Sequence, residues 1–164
     1  MEEAITIKAL QVGLLIWLRT NGDRNNVRID RFYIGKTEDL ESRKASHQEE
    51  GYTDTLEIAH GDAADIKEAE PILVDCIMCS KFAGMCENKE ANKKGNDEAD
   101  KLYIAYHAHN VNTNEGVEEG TLRWPVSFEL IGKEGMEELS RYLIRSLEKD
   151  TLQEWLEEIA RQQE

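Results

Sequence analysis

Four residue types in this chain fit one kind of chemistry when taken together: Tyr33, Arg43, His47 and Glu70. A carboxylate such as Glu70 can hold a hard divalent ion that keeps several of its waters. The ion would polarise a phosphate and stabilise a leaving oxygen. A guanidinium such as Arg43 would neutralise the charge that develops on a phosphorane. A tyrosine or histidine would take a proton from the attacking water, which gives Tyr33 and His47 a role. Arg43 and His47 are four residues apart and would share one helix face. Lys36 is a candidate for phosphate contact. Metal-assisted phosphodiester hydrolysis is the reaction these parts would serve.

Such side chains need elements to position them. The apolar run Leu14 to Leu18 suggests a buried strand, and Asn21-Gly22-Asp23 a turn. Val27 to Gly35 alternates as a second strand, so residues 13–35 are expected to form a β-hairpin with a long loop. Thr37 is the expected N-cap of a helix running to about His47, with Glu38 and Asp39 in its first turn. A short strand is expected at 56–60, then a helix capped by Asp62 and running towards Met78. Residues 88–100 are polar and lysine-rich and suggest a loop. Strands are expected over 102–108 and 122–130. Apolar residues at Leu139, Leu143, Leu147, Leu152, Trp155, Leu156 and Ile159 predict an amphipathic helical segment within 136–162. That segment could equally serve as a homodimer contact.

The stretch Tyr33-Ile34-Gly35-Lys36-Thr37, followed by Asp39-Leu40, Arg43 and His47, resembles the second half of the GIY-YIG nuclease signature. Glu70-Pro71-Ile72-Leu73-Val74 resembles that family's Glu-x-x-Leu-Ile helix, and Asn88 the asparagine that follows it. The resemblance covers roughly residues 12–96. It implies an α+β fold with a small mixed or antiparallel three-stranded sheet flanked by helices. It also implies DNA strand cleavage with Mg or Mn held by Glu70, and a site braced by Asn88, which adds that residue as a substrate-binding candidate. Residues 1–100 would be the nuclease domain. Residues 101–164, a C-terminal β-hairpin and amphipathic helix, would pack on it. The chain departs from the pattern in three places, one of them a longer gap between the two tripeptides, which is assigned to the hairpin loop. Gly13-Leu14-Leu15 stands where the family has Gly-Ile-Tyr, so that tyrosine is missing and His47 or Tyr33 would act as base. Pro71 follows Glu70 and would kink a helix, which leaves Glu68 as a fallback ligand.

Composition bounds these expectations. Thirty-four acidic residues against 20 basic ones give a net charge of -14 over 164 residues. Phosphate binding depends on Lys and Arg, so such a charge opposes DNA binding and favours a solvated, solubilising surface. The charge is uneven, however. Arg19, Arg24, Arg28, Arg31, Lys36, Arg43 and Lys44 outnumber the acidic residues between 19 and 47. A catalytically weak, nuclease-derived module that binds nucleic acid or a protein partner is therefore the alternative. The three cysteines, an odd number, suggest reduced thiols in a cytoplasmic protein. Cys76, Cys79, Cys86, His107 and His109 could supply a structural zinc site, although buried free thiols explain them more simply. The longest N-terminal apolar run is too short for a membrane span, and its acidic start argues against a signal peptide.

Overall fold

The computed structural model describes residues 4–22, 26–88 and 98–131. In chain order the elements are β1 (Ala4–Ile5), α1 (Ile7–Gly22), β2 (Val27–Thr37), α2 (Leu40–Glu49), β3 (Asp54–His60), α3 (Ala63–Met78), a 3-10 turn (Ala83–Met85), β4 (Lys101–Asn110) and β5 (Phe128–Leu130). The fold is α+β: a five-stranded mixed sheet ordered β1-β5-β3-β4-β2, with three α-helices among the described residues. β4 pairs antiparallel with both β2 and β3, and β5 runs parallel to β1 and β3.

The expected hairpin over 13–35 does not form. Residues 14–18 lie inside α1. Five consecutive apolar residues fit a buried strand or a buried helix, and the wider spacing decides between them. Leu10, Leu14, Trp17, Leu18 and Asn21 are all buried, and their spacing is helical. The start of α1 is capped by Thr6, whose Oγ1 accepts the amide of Ala9 at 3.1 Å. Gly13, Leu14 and Leu15 therefore belong to a helix and cannot form the first strand that the resemblance requires.

The centre of the sheet comes from later in the chain. β4 lies between β2 and β3, so a boundary at residue 100 would remove the strand that joins them. The sheet has five strands instead of the expected three. Residues 101–110 and 122–130 form no hairpin, because β3 separates β4 from β5. Of the segment expected at 122–130, only Phe128–Leu130 is a strand. The expected helix within 136–162 lies outside the described residues.

The strand period divides β4 between two clusters. Leu102, Ile104, Tyr106 and Ala108 face the larger core, which holds the apolar stripes of α1 and α3. Trp17 is fully buried there, edge-on to Tyr106 and Trp124 with ring centroids 6.1 and 6.0 Å away. Its indole N–H donates to the Arg123 carbonyl at 2.8 Å, so the ring is buried with its one donor satisfied. Tyr103 and Ala105 face the other way and pack with Tyr33, Leu40 and Tyr52 in a smaller cluster. Among the described residues no helix is long and apolar enough to cross a membrane.

Candidate active site

α2 begins two residues later than expected. Asp39 is its N-cap, with a side-chain oxygen accepting the Ser42 amide at 3.1 Å, while Thr37 Oγ1 accepts the Asp39 amide at 2.9 Å. This pair turns the chain sharply out of β2 into the helix that carries Arg43 and His47. The opposite flank of α2 is anchored. Lys44 Nζ pairs with Glu119 and lies 3.4 Å from the buried carboxylate of Asp54, and Gln48 donates to Glu119 at 3.0 Å. Asp54 also accepts the Gly120 amide at 3.1 Å. The 118–120 loop and the start of β3 thus hold the helix in place.

His47 is buried, and its Nε2 lies 3.0 Å from the hydroxyl of Tyr103. The rings of Tyr33 and Tyr52 lie 5.5 and 5.2 Å from the imidazole. Burial pushes the His47 pKa below its usual 6.5; Glu50 opposes this and Arg43 adds to it. The ring is therefore neutral at pH 7 and can accept the tyrosine proton. Its Nδ1 is 3.5 Å from a Glu50 carboxylate oxygen without forming a hydrogen bond.

Tyr103 was not among the residues expected from the sequence. It is the register partner of Gly35, and its ring lies across that glycine. A Cβ at Gly35 would stand 2.3 Å from the Tyr103 hydroxyl oxygen and 2.8 Å from the Tyr33 ring. Glycine is the residue that lets the two strands carry both tyrosines here. Burial raises the Tyr103 pKa well beyond the normal phenol range; the charges of Tyr33, Arg43, Glu70 and Glu50 act on it as well, Arg43 alone lowering it. Such a phenol keeps its proton in the resting protein, and His47 Nε2 is within hydrogen-bond reach of it.

Arg43 sits one helical turn before His47, is exposed, and among the described residues makes no ion pair. Its guanidinium is available to an anion. Tyr33 is half-buried between His47 and Tyr103, 6.3 Å from the latter ring.

Glu70 approaches from the other side of the sheet. It belongs to the inward stripe Ile66, Ala69, Glu70, Leu73, Val74 and Ile77 of α3. Pro71 does not displace it, since the helix runs on to Met78 with Glu70 fully buried. Glu68 is exposed on the outer face, so helical phase favours Glu70 over the fallback. Neither Glu70 oxygen has a hydrogen-bond partner among the described residues. Desolvation raises its pKa, and the charge of half-buried Lys36 partly offsets this. No hydrogen bond or ion pair among the described residues joins Glu70 to Arg43, His47 or Tyr103. Arg43 lowers and Glu70 raises the Tyr103 pKa through their charges.

Asn88 proves to be a brace. Its Oδ1 accepts the Ile34 amide at 2.8 Å and its Nδ2 donates to the Ile34 carbonyl at 2.7 Å. Both ends of the amide serve the edge strand β2 beside Gly35, and the side chain is buried, so it is not placed to make the expected substrate contact. The zinc set does not assemble either. Cys86 Sγ contacts Asn88 at 3.4 Å, and the two histidines on β4 pair with Asp30. Among the described residues no group of three or more His, Cys, Asp or Glu side chains is arranged to hold a metal ion.

The chemistry available is thus a neutral histidine bonded to a buried tyrosine, a free guanidinium one turn away, and a buried carboxylate lacking a cation. No family model, curated protein or solved structure matches this chain.

Proposed function

We propose that this chain is a divalent-metal-dependent DNA endonuclease of the GIY-YIG kind, with the missing tyrosine supplied by Tyr103 from β4. The observation that carries this reading is the 3.0 Å contact between Tyr103 and His47 over Gly35, with Arg43 on the same helix as His47. The likeness of residues 33–47 to the family signature predicts a base here. Tyr103 occupies that place from a strand that follows the rest of the motif in the chain.

A water attacks the phosphorus in line as the bond to the leaving sugar oxygen breaks, and that oxygen takes a proton from solvent. The water proton goes to the Tyr103 oxygen while the Tyr103 proton moves to His47 Nε2. Glu50, 3.5 Å from Nδ1, would stabilise the resulting imidazolium. Arg43 holds the non-bridging oxygens and neutralises their growing charge. Tyr33 and Tyr52 wall the imidazole and keep its orientation. Glu70 fits the role of ion ligand, because a buried carboxylate without a partner carries a desolvation cost that a cation removes. A bound magnesium or manganese ion would supply Lewis-acid stabilisation of the leaving oxygen.

The test is nicking of supercoiled plasmid with Mg2+ or Mn2+. Arg43→Ala, Tyr103→Phe and Glu70→Gln should each lower the rate about a hundredfold or more, the usual scale for losing a charge-stabilising group. Nicking that persists in all three variants would exclude this site. The net charge of -14 and the full burial of Glu70 favour a second reading, a nuclease-derived binding module. Salt-sensitive DNA binding that is lost in Arg43→Ala, with no cleavage by the wild type, would select that reading.

A further inference from the structure

The pairing of β2 with β4 shifts at a bulge between Ile29 and Arg31, and past it Arg31 shares a strand face with Tyr33. The Arg31 guanidinium lies over the ring of Tyr52, with Cζ 4.4 Å from the ring centroid. Nη2 donates to the Glu50 carbonyl at 3.1 Å, and Nη1 donates to a Glu87 carboxylate oxygen at 3.1 Å. The Arg31 and Glu87 side chains are 34% and 41% exposed, so their ion pair contributes little by itself. What the guanidinium does is hold the chain where α2 ends. An arginine that bonds a carbonyl at a helix C-terminus satisfies that oxygen and complements the helix dipole.

Residues 50–52 make that turn. Glu50 is the C-cap of α2. Gly51 follows with φ +95°, and a Cβ there would stand 2.9 Å from Arg31 Nη2, so the guanidinium fits closely against the turn. Tyr52 then comes back to the helix. Its amide donates to the His47 carbonyl at 3.0 Å, and its ring meets the imidazole edge-on at 5.2 Å. The same turn carries the Glu50 carboxylate, 3.5 Å from His47 Nδ1. One side chain from β2 thus fixes two groups that flank His47.

We propose that Arg31 is a positioning residue for the His47–Tyr103 pair, holding the 50–52 turn so that Glu50 and Tyr52 keep the imidazole aimed at the tyrosine hydroxyl. This role rests on the reading of that pair as the proton relay of the nuclease reaction. Arg31 acts through the turn and not on the substrate. The charged and titratable groups around the ring are Arg43 on α2, Glu50 at its end, Tyr52 beyond it, Tyr33 on β2 and Tyr103 on β4. Burial lowers the His47 pKa most, Glu50 raises it and Arg43 lowers it. A Glu50 carboxylate released from its place would let that pKa fall further.

Proton NMR of the His47 imidazole in the full chain, with nicking of supercoiled plasmid in Mg2+, tests this role. Arg31→Met keeps the apolar stem and removes the guanidinium. Its His47 midpoint should fall below that of the wild type, as in Glu50→Gln. In a Glu50→Gln background the same substitution should shift the midpoint little, because the two act along one path. Nicking should lose about tenfold to a hundredfold in kcat with KM unchanged, the pattern of misplaced groups and not of lost substrate binding. Arg31→Lys should rescue neither property, since an ammonium cannot stack on Tyr52 and also bridge Glu50 and Glu87. It replaces Arg31→Met if thermal melts show that variant unfolded. A midpoint that is unchanged or raised, or a raised KM at constant kcat, would overturn the proposal. The imidazole titration needs no cleavage: if the wild type does not nick, the nuclease reading falls, and the midpoint still decides the role of Arg31.

Discussion

Replacing Gly35 with alanine measures how closely the two tyrosine-bearing strands are fitted. The added Cβ would stand 2.3 Å from the Tyr103 hydroxyl oxygen, 2.4 Å from its Cζ and 2.8 Å from Tyr33 Cε1. Carbon contacts at that range are not tolerated, so the Tyr103 ring must move. Overpacking of a fitted site costs about 1–3 kcal/mol. Displacing the ring also breaks the bond to His47, and losing a buried hydrogen bond adds about 1 kcal/mol or more. The total is about 2–4 kcal/mol, which lowers the melting temperature by roughly 4–16 °C for a chain of this size. Urea unfolding followed by circular dichroism gives the free energy directly. The same substitution should then be made in a Tyr103→Ala background. With the ring gone, the remaining contact is to Tyr33, and the cost of the alanine should fall to about 1 kcal/mol or less. If Gly35→Ala costs less than about 0.5 kcal/mol, or costs the same in both backgrounds, Tyr103 does not lie over Gly35. The proposed base would then fall with it.

Two pH predictions follow from burial. The Glu70 pKa is raised above its usual 4.5, so the unfolded chain ionises first. The protein should lose stability as pH rises from about 4.5 through the folded value, and Glu70→Gln should flatten that part of the urea-midpoint profile; an unchanged slope would mean that the carboxyl is solvated. His47 has the opposite sign of effect, because its folded pKa lies below 6.5 and the unfolded chain takes up the proton first. Its contribution is present at neutral pH and is lost as pH falls from about 6.5 through the folded value. Proton NMR of the imidazole should give a midpoint below 6.5 that rises in Arg43→Ala; a midpoint at or above 6.5 would contradict a buried, neutral ring.

Local patterns carried the parts of this protein that depend on neighbouring residues. The turn from β2 into α2 is legible because Thr37 and Asp39 satisfy nearby amides, and the placing of Arg43 beside His47 follows from helical geometry alone. The inward aim of Glu70 follows likewise from the phase of an apolar stripe. α1 was misread because a short apolar run has the same appearance in a strand and a helix. The wider helical spacing of Leu10, Leu14, Trp17, Leu18 and Asn21, all buried, distinguishes them. Sheet order is not a local property. β4 reaches the centre because Leu102, Ile104, Tyr106 and Ala108 bury one of its faces against the large core, and no spacing within residues 1–100 announces it. Tyr103 meets His47 across 56 residues of chain, so tertiary pairing alone could bring that hydroxyl to the imidazole. The same applies to Asp30, which meets His107 across 77 residues only because a bulge breaks the strand alternation.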